Sequence, residues 1–274
     1  MTDAPLSGAK AIGWTVAYFV AGFILAALAG VGAHFAGAGD LAAEVVGELI
    51  GFGLATYIIG VRVLRLDAAL LRYREVGRRG RGFAIGLLVG VVPAALAMTV
   101  ALIAGAGWHT LPGGWSASAR AVGALLALLL PAAFAEELVF RGTGMVLLAR
   151  AYGRWPAIIG LAFFFGAMHA FNPGATPFAV ANIALAGVYL GVAFYLPGGI
   201  WTATGVHLGW NLTLAALGAP VSGLPFSIPY LSYRMGAPAW VTGGSFGPEG
   251  GAIAALVLLL AVALVARRAQ LRNA

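Results

Sequence analysis

The chain has 274 residues, of which 61% are apolar and only 9% charged. A soluble domain carries about 25% charged residues, so a soluble globular protein, a disordered chain and a nucleic-acid-binding module are all excluded. The net charge of +7 comes from basic runs that flank apolar segments, where it reads as membrane topology, and zero cysteine removes disulfides, thiolate metal sites and cysteine nucleophiles together.

A bilayer-crossing helix needs about 20 apolar residues. Eight stretches qualify, at 12–36, 42–61, 83–107, 121–149, 155–171, 178–196, 199–217 and 250–266. The expectation is an all-α polytopic membrane protein of about eight transmembrane helices, forming one integral membrane domain over residues 1–274. The first stretch follows a single Lys10 and lacks a short apolar region with a small-residue cleavage site, so it reads as a retained span. Between the second and third lie seven Arg within twenty residues, from Arg62 to Arg81. Placing that loop in the cytoplasm puts thirteen basic residues on the inner side against Arg120 and Arg234 outside, with Arg141 left inside a helix. Both termini are then cytoplasmic, in a multi-pass protein of the cell membrane. Fifteen of the sixteen basic residues are Arg, a bias that points to a GC-rich prokaryotic source.

The longest connection, 218–249, is rich in Pro, Gly and aromatic residues and reads as an interfacial loop folded over helix ends. Gly82, Gly86 and Gly90, and again Gly205 and Gly209, are spaced for close helix packing. No internal repeat is present.

Ionisable groups inside membrane helices are functional by default, since each costs about 2.5–3.5 kcal/mol on insertion scales. The fourth span holds Glu136, Glu137 and Arg141, the fifth His169, and the seventh His207 with Asn211. Glu137 and Arg141 share a helical face and can pair. Glu136 points about a quarter-turn away and is free for another task. Phe165 stands one turn before His169 and can pack on its ring. Glu136 and His169 lie equally far from the turn near Tyr152–Gly153, so they belong at one depth. Glu44, Glu48 and His34 read as interfacial or packing residues, His109, Asn172 and Glu249 as structural, and Asn182 as a helix–helix hydrogen bond.

Elimination narrows the chemistry. Every Ser (Ser7, Ser116, Ser118, Ser222, Ser227, Ser232 and Ser245) falls in tails or loops, every Asp (Asp3, Asp40 and Asp67) lies outside the spans, and no H-E-x-x-H is present. What remains is a carboxylate, two imidazoles and a carboxamide. A buried Glu can serve as general base, with His169 sharing the activation of water and His207 and Asn211 able to donate to an oxyanion. The same Glu/His/His set also suits zinc with an open fourth position.

These residues fall in EELVFR (Glu136–Arg141), FGAMH (Phe165–His169) and HLGWN (His207–Asn211). In order and spacing they resemble the three motifs of the CPBP family of CAAX prenyl endopeptidases and bacteriocin-processing enzymes, also called Abi. The resemblance implies a four-helix catalytic core over residues 121–217 and an intramembrane endopeptidase. It implies Glu136 as the water-activating base with His169 assisting, His207 and Asn211 as the oxyanion site, and Glu137, Arg141 and Phe165 in support. A metal-free glutamate mechanism with no cofactor is the expectation, zinc on the same residues the alternative. The implied partner is a membrane-associated protein or peptide, prenylated or not, met in the lipid bilayer. A proton-coupled transporter and a non-catalytic immunity or chaperone protein are the competing readings.

Overall fold

The computed structural model describes residues 7–73, 79–112, 114–236 and 238–269. Of the basic residues used for topology, Arg74, Arg78 and Arg272 lie outside the described residues, as does Asp3. Helix α1 spans Gly8–Phe35, α2 Asp40–Ala55 and α3 Arg79–Ile103. Helix α2 runs on as a π-helical stretch, Thr56–Val63. Then follow α4 (Trp115–Arg141), α5 (Thr143–Tyr152), α6 (Arg154–Met168), α7 (Pro177–Phe194) and α8 (Ile200–Ala216). A one-turn α9 (Ala239–Thr242) precedes α10 (Ala252–Ala266). Strands β1 (Gly107–Thr110) and β2 (Leu231–Arg234) pair antiparallel, Trp108 opposite Tyr233.

The chain is an all-α polytopic membrane protein. Among the described residues, six helical segments are long and apolar enough to cross a membrane. Helices α8 and α10, read from sequence as spans, have 17 and 15 helical residues and fall short of that length. On α1, Ile12, Val16, Val20, Ile24, Leu28 and Val31 are all about half exposed. That apolar stripe recurs every three to four residues, as a lipid-facing surface requires.

Three details depart from the sequence reading. The fourth span is broken after Arg141, at Gly142, into α4 and α5. A side chain at Gly142 would strike the Leu138 carbonyl and the Tyr18 hydroxyl, and Tyr18 itself donates to that carbonyl at 2.7 Å. Ser116 and Ser118 belong to the first turn of α4 rather than to a loop, and Asp40, read as outside the spans, opens the apolar helical segment Asp40–Val63. The connection 218–249 is not one open loop, because it contributes β2, α9 and two 3₁₀ turns, the second of them buried.

Helix α8 lies at the centre, buried without interruption from Thr202 to Trp210. It runs alongside α3, and the glycines expected to pack do so reciprocally. A Cβ on Gly86 would meet the Thr202 carbonyl, and one on Gly205 the Phe83 carbonyl. Only glycine permits backbones to approach this closely. The crossing holds α8 in register and thereby sets where His207 points.

Candidate active site

Helix α4 ends in the motif residues. Glu137 is fully buried, and its Oε1 accepts from Arg141 Nη1 at 3.2 Å and from His207 Nδ1 at 2.9 Å. Arg141 is equally buried, donates through Nη2 to the Gly187 carbonyl of α7 at 2.9 Å, and stacks over the Phe165 ring. One carboxylate therefore ties α4 to α8, and its arginine ties α4 to α6 and α7. The Glu137–Arg141 pair follows from helical spacing; the bond to His207, seventy residues away, does not.

Glu136 faces elsewhere. Its Oε2 lies 4.0 Å from Nε2 of His169 and 4.0 Å from Nε2 of His207. Both separations exceed direct hydrogen bonding, and this buried oxygen has no partner of its own among the described residues. His169 closes α6 and opens the 3₁₀ turn His169–Phe171. Its Nδ1 sits 2.8 Å from the Phe165 carbonyl, and the two rings pack at 4.6 Å between centroids. A carbonyl only accepts, so Nδ1 carries the proton in His169. The Glu137 carboxylate imposes the same tautomer on His207. Both imidazoles thus present Nε2 to Glu136.

Asn211, one turn beyond His207, is half-buried and forms no side-chain hydrogen bond among the described residues. It lines a cavity of about 20 Å³ together with His207, Ser222 and Glu249. Glu136 and His169 instead open onto a cleft of about 200 Å³ walled by Phe23, Phe140 and Met168.

Residues 118–213 match the family described as type II CAAX prenyl endopeptidase, Rce1-like. The match covers about a third of the chain and contains every motif residue named above. No curated protein and no solved structure matches the chain. The Rce1-like assignment is consistent with the CPBP resemblance and supports a CAAX-type intramembrane endopeptidase.

Several groups that meet this site lie outside the Rce1-like segment. Glu44 and Glu48 of α2, read from sequence as interfacial or packing residues, line the same cleft as Glu136 and His169. Their helix runs beside α4, a proximity that spacing within one helix cannot reveal. Glu249 is buried, and it accepts from Trp210 Nε1 at 3.0 Å and from the backbone N–H and hydroxyl of Ser222. Burial pushes its carboxyl above the usual carboxylate range, with the bonds from Ser222 and Trp210 opposing that shift. Ser222 has φ 49°, a left-handed conformation rare outside glycine, and its carbonyl accepts from Asn172 at 2.8 Å. Asn182 donates to the carbonyls of Glu249 and Gly251, at 2.9 Å each, rather than to another helix's side chain. The only sequence signal for Glu249 is an acid between Pro and Gly at the mouth of an apolar helix.

Glu249→Gln turns an amide N–H₂ toward a donor that previously met an oxygen. Leaving a buried donor unsatisfied costs about 1–3 kcal/mol. The variant should melt earlier in detergent and bind substrate with unchanged KM but lower kcat, because Trp210 lies between His207 and Asn211. An unchanged melting temperature and kcat would show that these bonds do not hold the motif helix.

Proposed function

We propose that the protein is an intramembrane endopeptidase in which Glu136 activates water against a peptide bond of a membrane-associated substrate, prenylated or not. The observation that carries this is the convergence of an unpartnered Glu136 oxygen with two imidazole nitrogens, His169 and His207, at 4.0 Å each. A gap of that size is where a bridging water is looked for. Glu136 takes a proton from water held between it and His169, the hydroxide attacks the scissile carbonyl, and Glu136 returns the proton to the leaving amine. The oxyanion is met by Asn211 Nδ2–H and by His207 Nε2–H. Because Nδ1–H of His207 is already given to Glu137, donation from Nε2 requires the imidazolium, which has the Glu136 and Glu137 carboxylates on its two sides.

The catalytic core is assigned to residues 121–217. The arginine-bearing helix ends, among them Arg62, Arg79, Arg150 and Arg154, are assigned to the cytoplasm of a prokaryotic cell, with both termini there. The donor types Glu136, His169 and His207 would also suit zinc with an open fourth position. The metal-free route is the one proposed because Asn211, one turn beyond His207, supplies a second oxyanion donor but only a poor zinc ligand.

Asn211→Ala should lower kcat by about 10²–10³-fold with little change in KM, as for removal of other oxyanion donors. An equal loss in substrate binding would instead place Asn211 in the substrate groove. Comparative proteomics of cells carrying the parent or Glu136→Ala tests the function itself. One membrane-associated precursor should accumulate in the variant, and identical proteomes would overturn the assignment.

A further inference from the structure

Outside the motif cluster, three guanidinium groups from three elements border one cleft of about 600 Å³. Arg150 stands on the last turn of α5 and Arg154 on the first turn of α6, joined by Gly153 at φ 92°. Arg72 comes from the segment before α3. It donates through Nε to the Phe194 carbonyl at 3.0 Å and through Nη2 to the Leu196 carbonyl at 2.9 Å, which holds it against the end of α7. Arg72 and Arg154 both lie over the ring of Tyr195, at 5.8 and 5.1 Å.

The walls carry a second signal. Leu70 and Tyr152 line the cleft and are about half exposed, and Trp155 is exposed one residue beyond Arg154. Aromatic residues at helix ends mark the level of lipid headgroups. A cleft of this volume is within the range that holds small ligands, and basic pockets between transmembrane helices take anionic headgroups.

We propose that this cleft is a binding site for a phosphodiester group, supplied by the headgroup of an anionic phospholipid, with Arg72, Arg150 and Arg154 as its cationic ligands. Planar guanidinium groups match phosphate oxygens bidentately. The glycerol would lie against Tyr152 and Tyr195, and the acyl chains would leave past Leu70 and Trp155 into the bilayer. The site does not depend on the catalytic reading, because none of its residues reaches the motif cluster.

The test uses the full chain in phosphatidylcholine nanodiscs, with and without phosphatidylglycerol, and a separate arm with inorganic phosphate alone. Native mass spectrometry counts retained lipid, and a melting curve reports stabilisation. The parent should retain phosphatidylglycerol in a saturable way and melt later, while inorganic phosphate alone changes neither. The double variant Arg150→Gln with Arg154→Gln should bind about 30-fold more weakly, from about 1 kcal/mol for each charge near a membrane surface. Arg267→Gln with Arg268→Gln removes the same charge at the same end but outside the cleft, and should bind like the parent. Arg150 is exposed, so Arg150→Gln alone serves if the double variant does not fold, with about a 5-fold loss expected on the same scale. Equal weakening in both double variants would reduce the effect to general surface charge and overturn the site. Stabilisation by inorganic phosphate equal to that by phosphatidylglycerol would assign it to a soluble anion and overturn the lipid.

Discussion

Glu136→Gln is expected to yield a protein that inserts and melts like the parent but cleaves at least about 10²–10⁴-fold more slowly, the usual cost of losing a general base. The substitution preserves shape and leaves the buried network intact, because Glu136 shares no hydrogen bond with Glu137, Arg141 or either histidine. What disappears is the capacity to take a proton from water and return it to the leaving amine. Measured in one lipid environment, kcat should fall while KM stays near its parent value. A purified Glu136→Gln protein with parental turnover would remove Glu136 from the chemistry.

The second large effect concerns stability. Glu137 and Arg141 are buried to within 1% of complete exclusion from solvent, and breaking a buried pair by removing one partner costs about 3–5 kcal/mol. Glu137→Ala leaves the Arg141 charge with only the Gly187 carbonyl and its neighbouring aromatic rings. It also frees His207 Nδ1, and losing the carboxylate that sets a catalytic imidazole's tautomer can cost about 10⁴-fold in turnover. Arg141→Ala leaves Glu137 still bonded to His207. Both variants should therefore melt earlier in detergent, and Glu137→Ala should lose more activity than Arg141→Ala. Parental melting temperatures in both would contradict the geometry.

These contacts also show what the sequence makes legible. Helical periodicity alone separates Glu136 from Glu137 and pairs the latter with Arg141, because residues four apart must share a face. Equal distance from the Tyr152–Gly153 turn brings Glu136 level with His169, and the observed 4.0 Å separation agrees. Contacts between helices distant in sequence are not written in any local pattern. The bond from His207 to Glu137, the placement of Glu44 and Glu48 on the cleft of Glu136 and His169, and the grip of Glu249 on Ser222 all belong to that kind. The break at Gly142 was hidden for a different reason. A glycine inside an apolar run reads as a packing position, and only the neighbouring Tyr18 hydroxyl and Leu138 carbonyl reveal the close approach. The short β1–β2 pair lies in connections whose hydropathy carries no period.

The central claim is that a carboxylate, without a metal, activates the water. Elemental analysis of active, purified protein, with turnover recorded on the same sample before and after phenanthroline, tests it most directly. The account predicts full turnover with no stoichiometric transition metal and no loss on chelation. About one equivalent of zinc, with activity lost to the chelator and restored by the metal, would contradict it.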